Sequence, residues 1–202
     1  MKSVLISIRP EWCEKIVNGK VTIEVRKSAP KEFPFKAYIY CTKAKSKWRY
    51  SDYVGAYVNS KDEIVYAQQH IIGEFVCDYI YEWEKKDRLE LIGICPTVRA
   101  SYMIFVDDLE KTCLTYDELD EYGKGKTLYG WHISDLKIYD KPKELSKFYV
   151  HKHDTFNYCC GCVYLVRLTT EYPCSECLRD REQRMYLTRP PQSWQFVEEV
   201  KI

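Results

Sequence analysis

The stretch "GKVTIEVRK", residues 19–27, sets a carboxylate and a guanidinium two residues apart in a β-branched context. Alternate side chains of a regular strand share a face, so we expect Thr22, Glu24 and Arg26 to point the same way. A Glu beside an Arg offers hydrogen-bond acceptors and donors together, which suits the edge of a nucleobase. The alternative is an ordinary ion pair at the surface, which contributes little stability.

A second candidate lies in "YGWHISDLKIYD", where Trp131 and His132 begin a predicted strand. At the mouth of a site, the indole of Trp131 could stack on a base and the imidazole of His132 could hydrogen-bond to one. The alternative is a core tryptophan and a histidine whose hydrogen bonds are already satisfied.

The segment "KAKSKWRYSDY", residues 43–53, alternates cations with nearby aromatic side chains. Cations suit phosphates and aromatic rings suit bases, so this composition is typical of a strip that contacts nucleic acid. A solvated loop is the alternative. The candidate contacts to a nucleic-acid backbone are Lys43, Lys45, Lys47, Trp48 and Arg49.

Two Cys-x-x-Cys pairs, "CCGC" and "CSEC", stand eleven residues apart in a segment rich in Cys, His, Arg and Asp. Each pair can present two thiolates, and two pairs complete a tetrahedron, so we predict a structural zinc with no open coordination position. Reduced cysteines in a loop are the alternative. The predicted ligands are Cys159, Cys162, Cys174 and Cys177, and Cys160, His151 or His153 could replace one of them.

The composition limits the classes of function. The chain of 202 residues has a net charge of +1, so any basic site must be local. No stretch is long enough to span a membrane, and we expect a cytoplasmic protein with reduced cysteines. The 18 Tyr, 7 Phe and 5 Trp residues suit strands and recognition surfaces alike. The remaining cysteines are predicted to be small core residues: Cys13, Cys41, Cys77, Cys95 and Cys113.

Short strands outnumber helices among the elements that must position these residues. One predicted helix follows Pro10 and ends at Gly19, and a second begins with a capping box, Thr115 and Glu118, in "LTYDELDEYG". Gly73 is a candidate β-bulge. The predicted strands cover 3–8, 22–27, 35–42, 70–83, 130–140, 162–169 and 193–200.

This order lacks a βαβ rhythm and favours an α+β fold or a small mixed barrel. We therefore predict one main domain, 1–148 plus 189–202, interrupted by a Cys-rich insert at 149–188.

The opening stretch also resembles the ASCH-domain family of the PUA-like superfamily, whose motif is usually written Gly-x-Lys-x-x-Glu-x-Arg. The match falls on Gly19, Glu24 and Arg26, after a predicted helix. "IIGEFVCD", "YGWHISDLKIYDKPKEL" and "RPPQSW" add to the likeness, which covers the chain except the insert. It implies a PUA-like small mixed β-barrel with flanking helices, of a type often found in prophages and phages of Gram-positive bacteria.

One departure from the family pattern bears on catalysis. In members that hydrolyse acetylated cytidine nucleosides, the motif lysine acts with a threonine or glutamate three residues on and with a downstream glutamate. The lysine position holds Val21, which can neither donate a proton nor act as a nucleophile. The resemblance would leave Glu24, Glu110 and the displaced Lys20 as catalytic candidates, and it favours a binder over an enzyme.

Three hypotheses follow. The first is a binding module for RNA, single-stranded nucleic acid, a nucleotide or a modified nucleoside. The second is a hydrolase of the same fold, either an amidohydrolase acting on N4-acetylcytidine-type substrates or a ribonuclease. The third is a protein-interaction module that acts through the zinc insert.

Overall fold

The computed structural model describes residues 1–45, 54–85, 102, 104–151 and 184–199. Within them the fold is mixed α+β. Three α-helices are present in these ranges, α1 (Pro10–Val17), α2 (Val106–Thr112) and α3 (Tyr116–Gly123), together with a 3₁₀ helix at Leu145–Lys147. The strands are β1 (Ser3–Ile8), β2 (Ile23–Arg26), β3 (Phe35–Cys41), β4 (Tyr57–Val58), β5 (Ile64–Val65), β6 (Ile71–Cys77), β7 (Ile80–Trp83), β8 (Leu128–His132), β9 (Ser134–Lys143), β10 (Phe148–His151), β11 (Arg184–Tyr186), β12 (Trp194–Phe196) and β13 (Glu198–Glu199).

The first three elements follow the local signals of the sequence. Pro10 occupies the first turn of α1, where its missing N–H costs nothing, and Cys13 and Ile16 of this helix are buried. Gly19 has a φ of +68°, so it takes the left-handed conformation that ends the helix and directs the chain into β2. The predicted β1–α1–β2 unit is confirmed.

A five-stranded sheet in the order β12-β1-β3-β6-β9 forms the centre of the fold. Strands β1 and β3 are parallel and the other neighbours are antiparallel. Apolar side chains bury both faces of this sheet, so β1 and β3 read as nearly continuous apolar runs. A second sheet, of three strands in the order β2-β8-β7, contains residues Ile23–Arg26 of "GKVTIEVRK" as its edge strand.

The long strands predicted at 70–83 and 130–140 are wrong as single strands. Strand β6 belongs to the five-stranded sheet, whereas β7, only two residues later, belongs to the sheet with β2. Strands β8 and β9 divide between the same two sheets, with a break at Ile133. The predicted bulge is confirmed, because the register of β6 shifts on either side of Gly73.

The remaining elements are smaller. The predicted strand 193–200 divides at Val197 into β12 and β13, and β13 joins the three-stranded sheet β11-β10-β13. Helix α2 and the β4–β5 hairpin were not predicted from the sequence. The predicted strand 162–169 lies outside the described residues, and the insert is described only at its two ends, in β10 and from β11 onward.

No sheet formed by the described strands closes on itself, so the predicted barrel is open in this part of the chain. The opening lies between the free edge of β2 and the five-stranded sheet. Two hydrogen bonds cross it, one from Arg26 Nη2 to the Ser7 carbonyl oxygen at 2.8 Å and one from Trp194 Nε1 to Ser28 Oγ at 3.1 Å. None of the helices in the described ranges is long and apolar enough to cross a membrane.

Candidate functional site

A cavity of about 550 Å³ occupies the opening between β2 and β1. Its floor follows β2 and the end of β1, and its walls come from α1, from α3 and from the turn between α2 and α3. A volume of this size is within the range of sites that hold small molecules and cofactors. The lining residues are Ser7, Ile8, Arg9, Trp12, Ile23, Glu24, Val25, Arg26, Lys27, Thr112, Leu114, Glu118, Glu121, Tyr122 and Lys124.

Glu24 and Arg26 form an ion pair on the floor of this cavity. Arg26 Nη2 lies 3.0 Å from Glu24 Oε1 and also donates a hydrogen bond to the Ser7 carbonyl oxygen. Arg26 is only 8% exposed, and its Nε–H is buried without a partner among the described residues. An unmet donor at this depth is costly unless something else accepts from it, so the floor is electrostatically incomplete.

The surroundings of Glu24 change its acidity. Burial raises the pKa of the Glu24 carboxyl, and the nearby cations Arg26 and Arg9 only partly oppose that rise. Burial also raises the pKa of the Tyr122 phenol, with Arg26 and Arg9 again acting against the rise. These shifts place Glu24, Arg26, Arg9 and Tyr122 in one electrostatic neighbourhood at the cavity, and perturbed carboxyls in clefts are typical of functional sites.

Two helices supply the aromatic and cationic parts of the wall. On α1, Lys15 Nζ lies 4.0 Å from the centre of the Trp12 ring. On α3, the Tyr122 ring has Lys27 Nζ 4.7 Å from its centre. The helix α3 is held by the predicted capping box, in which Thr115 Oγ1 accepts from the Glu118 N–H at 3.2 Å and the Glu118 carboxylate accepts from the Thr115 N–H.

Two of the predicted ligand-binding residues lie away from the cavity. Trp131 is 0% exposed and packs in the core with its ring edge-on to Phe35 and Trp194, at 5.0 and 5.8 Å between ring centres. It therefore has no free face for a base, and the predicted position at a mouth is wrong. His132 is paired with Ile23 on β2, so it lies on the opposite face from Glu24, with Nδ1 2.6 Å from Asp78 Oδ1.

The predicted side-chain contact of Thr22 is also absent, because Thr22 does not line the cavity. Its main chain instead joins elements: the Thr22 N–H donates to the Lys111 carbonyl oxygen and its own carbonyl oxygen accepts from Ile133. Of the three residues predicted to share one face, the structure brings only Glu24 and Arg26 together.

The catalytic candidates taken from the resemblance are dispersed. Lys20 and Glu110 are exposed, and neither lines the cavity, whereas Glu24 does. Val21 is 1% exposed and belongs to the hydrophobic core. The acidic side chains that do line the cavity with Glu24 are Glu118 and Glu121, both on α3.

Several predictions lie outside the described residues and stay predictions. They include Lys47, Trp48 and Arg49 of the basic strip. The other two residues of the strip, Lys43 and Lys45, are described and exposed. The zinc ligands Cys159, Cys162, Cys174 and Cys177 and their alternatives Cys160 and His153 are outside too, as are the side chain of His151 and Cys95. The described ranges contain no cluster of metal-ligating side chains. Cys13, Cys41 and Cys77 are buried as predicted, and Cys113 is half-buried.

Most residues of the cavity wall were not predicted from the sequence. Arg9, Trp12, Lys27, Tyr122 and Lys124 line the cavity but were not singled out. A signal existed for Arg9 and Trp12, because "RPEWCEKIVNGK" puts them at the start of the helix that leads into the motif. Tyr122 and Lys124 come from a helix about one hundred residues away along the chain, and only the tertiary fold brings them to β2.

Comparison with solved structures finds proteins of similar fold. The chain is similar to the crystal structure of ASCH from Zymomonas mobilis, with a TM-score of 0.49 and 16% identity over 98% of this chain and 88% of that chain. A single-residue variant of the same Zymomonas mobilis protein gives a TM-score of 0.48 and 16% identity, over 98% of this chain and 91% of that chain. No protein-family model and no curated protein matches the sequence.

Proposed function

We propose that the chain is an ASCH-type, PUA-like domain that binds a nucleobase or nucleotide in the cavity along β2. One observation carries the proposal: a buried arginine on the cavity floor, Arg26, has an Nε–H with no partner among the described residues. A nucleobase edge presents carbonyl and ring-nitrogen acceptors of the kind that would complete it.

The partner of Arg26 suits the same ligand. Glu24 Oε1 lies 3.0 Å from Arg26 Nη2, and Glu24 lines the cavity. A carboxylate oxygen accepts from exocyclic amines and ring N–H groups, so the floor offers an acceptor beside a donor. Nucleobases carry adjacent donors and acceptors on their edges, and this pattern matches the floor.

The wall of the cavity suits the rest of a nucleotide. Trp12 and Tyr122 offer aromatic surface for stacking, and Arg9, Lys27 and Lys124 offer cations for a phosphate. The chain as a whole is close to neutral, with a net charge of +1, so these local cations and not a global field would attract the phosphate.

The test is calorimetric titration of the purified protein with each of the four ribonucleoside 5′-monophosphates. We expect at least one to bind, and Arg26→Met to weaken that affinity by about tenfold to a hundredfold, the value of a hydrogen bond to a charged group. The matched control is Lys36→Met, because Lys36 Nζ also lies 3.0 Å from a carboxylate, that of Glu74, and neither residue lines the cavity. Absence of binding by all four nucleotides, or an Arg26→Met protein that binds like the wild type, would overturn the proposal.

A hydrolase of the same fold is the second candidate, and the raised pKa of Glu24 favours it. A buried carboxyl whose pKa is raised suits a general acid or base. The test is incubation with N4-acetylcytidine and, separately, with a single-stranded RNA oligonucleotide, followed by chromatography of the products. Turnover that Glu24→Gln abolishes would establish an enzyme. Intact substrates after prolonged incubation would exclude the hydrolase candidate for these two substrates and keep nucleotide binding as the proposed function.

A further inference from the structure

The strand on the cavity floor has a free edge. In the described part of the chain, β2 pairs only with β8, so one side of its main chain carries no sheet neighbour. Five consecutive residues, Ile23–Lys27, line the cavity. Successive side chains point to opposite faces of a strand, so a cavity that touches all five must run along the edge, where the main chain is accessible.

The pairing pattern shows which main-chain groups lie on that edge. The Ile133 N–H donates to the Thr22 carbonyl oxygen at 2.9 Å, which makes Ile23 and His132 a non-hydrogen-bonded pair of the antiparallel ladder. Hydrogen-bonded and non-hydrogen-bonded pairs alternate along such a ladder. The main chains of Glu24 and Arg26 therefore bond to β8, whereas the N–H and C=O of Val25 point to the free edge.

The alternation of hydrogen-bonded and non-hydrogen-bonded pairs between β8 and β7 is consistent with that between β8 and β2. The His132 N–H donates to the Tyr79 carbonyl oxygen at 3.0 Å, so His132 turns its main chain toward β7, and Trp131, the next residue back, turns its main chain toward Glu24 on β2. The two ladders agree, which fixes the orientation of Val25.

Val25 is thus a nearly buried residue with an unused donor and an unused acceptor. It is 9% exposed, and the described residues supply no hydrogen bond to its main chain. A main-chain donor and an acceptor side by side at a cavity offer hydrogen-bond partners to a ligand that carries both kinds of group.

We propose that the main chain of Val25 reads the edge of the bound nucleobase, its N–H donating to a ring nitrogen or carbonyl oxygen and its C=O accepting from an amine or ring N–H. The inference rests on the proposed function and assigns the base-reading contact to the strand edge, with the Glu24–Arg26 pair beside it. The side chain of residue 25 would then matter less to base recognition than its peptide group.

The geometry favours a base over an added β-strand from a protein partner. Hydrogen bonds from Arg26 to Ser7 and from Trp194 to Ser28 cross the opening on the C-terminal side of Val25, so an extended chain paired with β2 could not continue past Arg26. The free edge within the cavity is also short, since it consists of the main-chain groups of Ile23, Val25 and Lys27. A planar base fits a cavity of about 550 Å³.

The decisive experiment replaces the peptide N–H of Val25 by an ester oxygen, by incorporating the α-hydroxy analogue of valine at that position. The side chain and the main-chain bonds from Arg26 to β8 stay the same, whereas the Glu24 carbonyl becomes a weaker ester acceptor toward β8, an effect that the control below shares. We expect about threefold to tenfold weaker binding of the best of the four nucleoside monophosphates, the range of a neutral hydrogen bond.

Val58 supplies the matched control. It is also a valine with its main chain turned away from its partner strand, because the Asn59 N–H donates to Glu63 and so makes Val58 and Ile64 a non-hydrogen-bonded pair. It does not line the cavity. The ester at Val58 should leave nucleotide affinity unchanged.

A second measurement needs no variant. In ¹⁵N-labelled wild-type protein, nucleotide binding should slow hydrogen exchange at the Val25 amide and shift its proton resonance downfield. Suppose that a nucleotide binds, that the exchange rate and chemical shift of the Val25 amide stay as in the free protein, and that the ester variant binds as tightly as the wild type. The main-chain inference is then overturned, and the nucleotide-binding function stands. If none of the four nucleotides binds, the proposed function fails, and the inference fails with it.

Discussion

Two ion pairs of equal length lie on different sheets and have opposite surroundings. Lys36 Nζ lies 3.0 Å from Glu74 Oε1 on the five-stranded sheet, and Arg26 Nη2 lies 3.0 Å from Glu24 Oε1 beside the cavity. Glu74 also accepts a hydrogen bond from Tyr139 at 2.6 Å, so both of its oxygens are used. Glu24 has Arg26 as its only ion-pair partner among the described residues, and the Arg26 Nε–H has no described partner.

The pair on the five-stranded sheet extends into a network. Tyr38 donates to Glu199 Oε2 at 3.2 Å, and Lys143 donates to the other oxygen of the same carboxylate. Lys143 Nζ also lies 4.3 Å from the centre of the Tyr139 ring. These contacts attach the last described strand, β13, to β3 and β9. A complete network stabilises a structure, whereas an incomplete pair in a cavity is available to a ligand.

The largest effect is expected where a charge would have no partner at all. Val21→Lys would place an ammonium in the hydrophobic core, and we expect it to lower the free energy of unfolding by about 3 kcal/mol or more. Val21→Met is the control, with an expected loss of about 1 kcal/mol. Denaturant unfolding measures both. A lysine variant as stable as the methionine variant would mean that position 21 can present a cation to solvent.

The next effect tests the complete pair. Glu74→Ala leaves Tyr139 and Lys36 without their carboxylate, and we expect it to lower the free energy of unfolding by about 2 kcal/mol. Nucleotide affinity should stay unchanged, because Glu74 does not line the cavity. Urea denaturation and calorimetric titration of one protein preparation give both values. A weaker affinity at unchanged stability would reverse the roles assigned to the two pairs.

The incomplete pair should respond differently. In the double variant Glu24→Met/Arg26→Met, apolar side chains of similar length replace the buried charges, and we expect a free energy of unfolding within about 1 kcal/mol of the wild type. Nucleotide binding should be lost. Denaturant unfolding of the Arg26→Met single variant serves as the reference. It separates the effect of removing the whole pair from the effect of leaving Glu24 unpaired, and the single variant should be the less stable protein. A double variant as unstable as Glu74→Ala would make the cavity pair structural.

The sequence predicts what local signals encode. Pro10, Gly19 and the Thr115–Glu118 capping box act within a few residues, and the structure has each of them in the expected role. It does not predict where a strand passes from one sheet to another. The run 70–83 is apolar on both sides of its break, and only pairing with β3, β9 and β8 decides the position of that break.

The same distinction applies to the site. Glu24 and Arg26 are two residues apart, so strand geometry alone predicts their contact. Trp131 looks identical in sequence whether it lines a mouth or fills a core, and its burial depends on Phe35 and Trp194, which are distant along the chain. Residue type and spacing therefore identify the floor of the cavity, and the tertiary fold supplies its wall.

The smallest effect is a difference in pH dependence between the two carboxyls. Burial raises the pKa of Glu24 from the ordinary value of 4.5, with Arg26 opposing the rise. Burial also acts to raise the pKa of Glu74, but hydrogen bonds from Tyr139 and Lys36 outweigh it, so that pKa lies below 4.5. The native state thus holds the Glu24 proton more tightly than the unfolded chain does, and the Glu74 proton less tightly.

The consequences for stability have opposite signs. The contribution of Glu24 is most favourable below pH 4.5 and declines as the pH rises from there through its raised native pKa. The contribution of Glu74 is fully present above pH 4.5 and is lost as the pH falls through its lowered native pKa. Urea unfolding from about pH 3 to about pH 7 therefore should show Glu24→Gln gaining stability on the wild type as the pH rises, and Glu74→Gln losing it. Parallel curves for the two variants would show that the two carboxyls have equivalent environments, and the contrast between a complete and an incomplete pair would not hold.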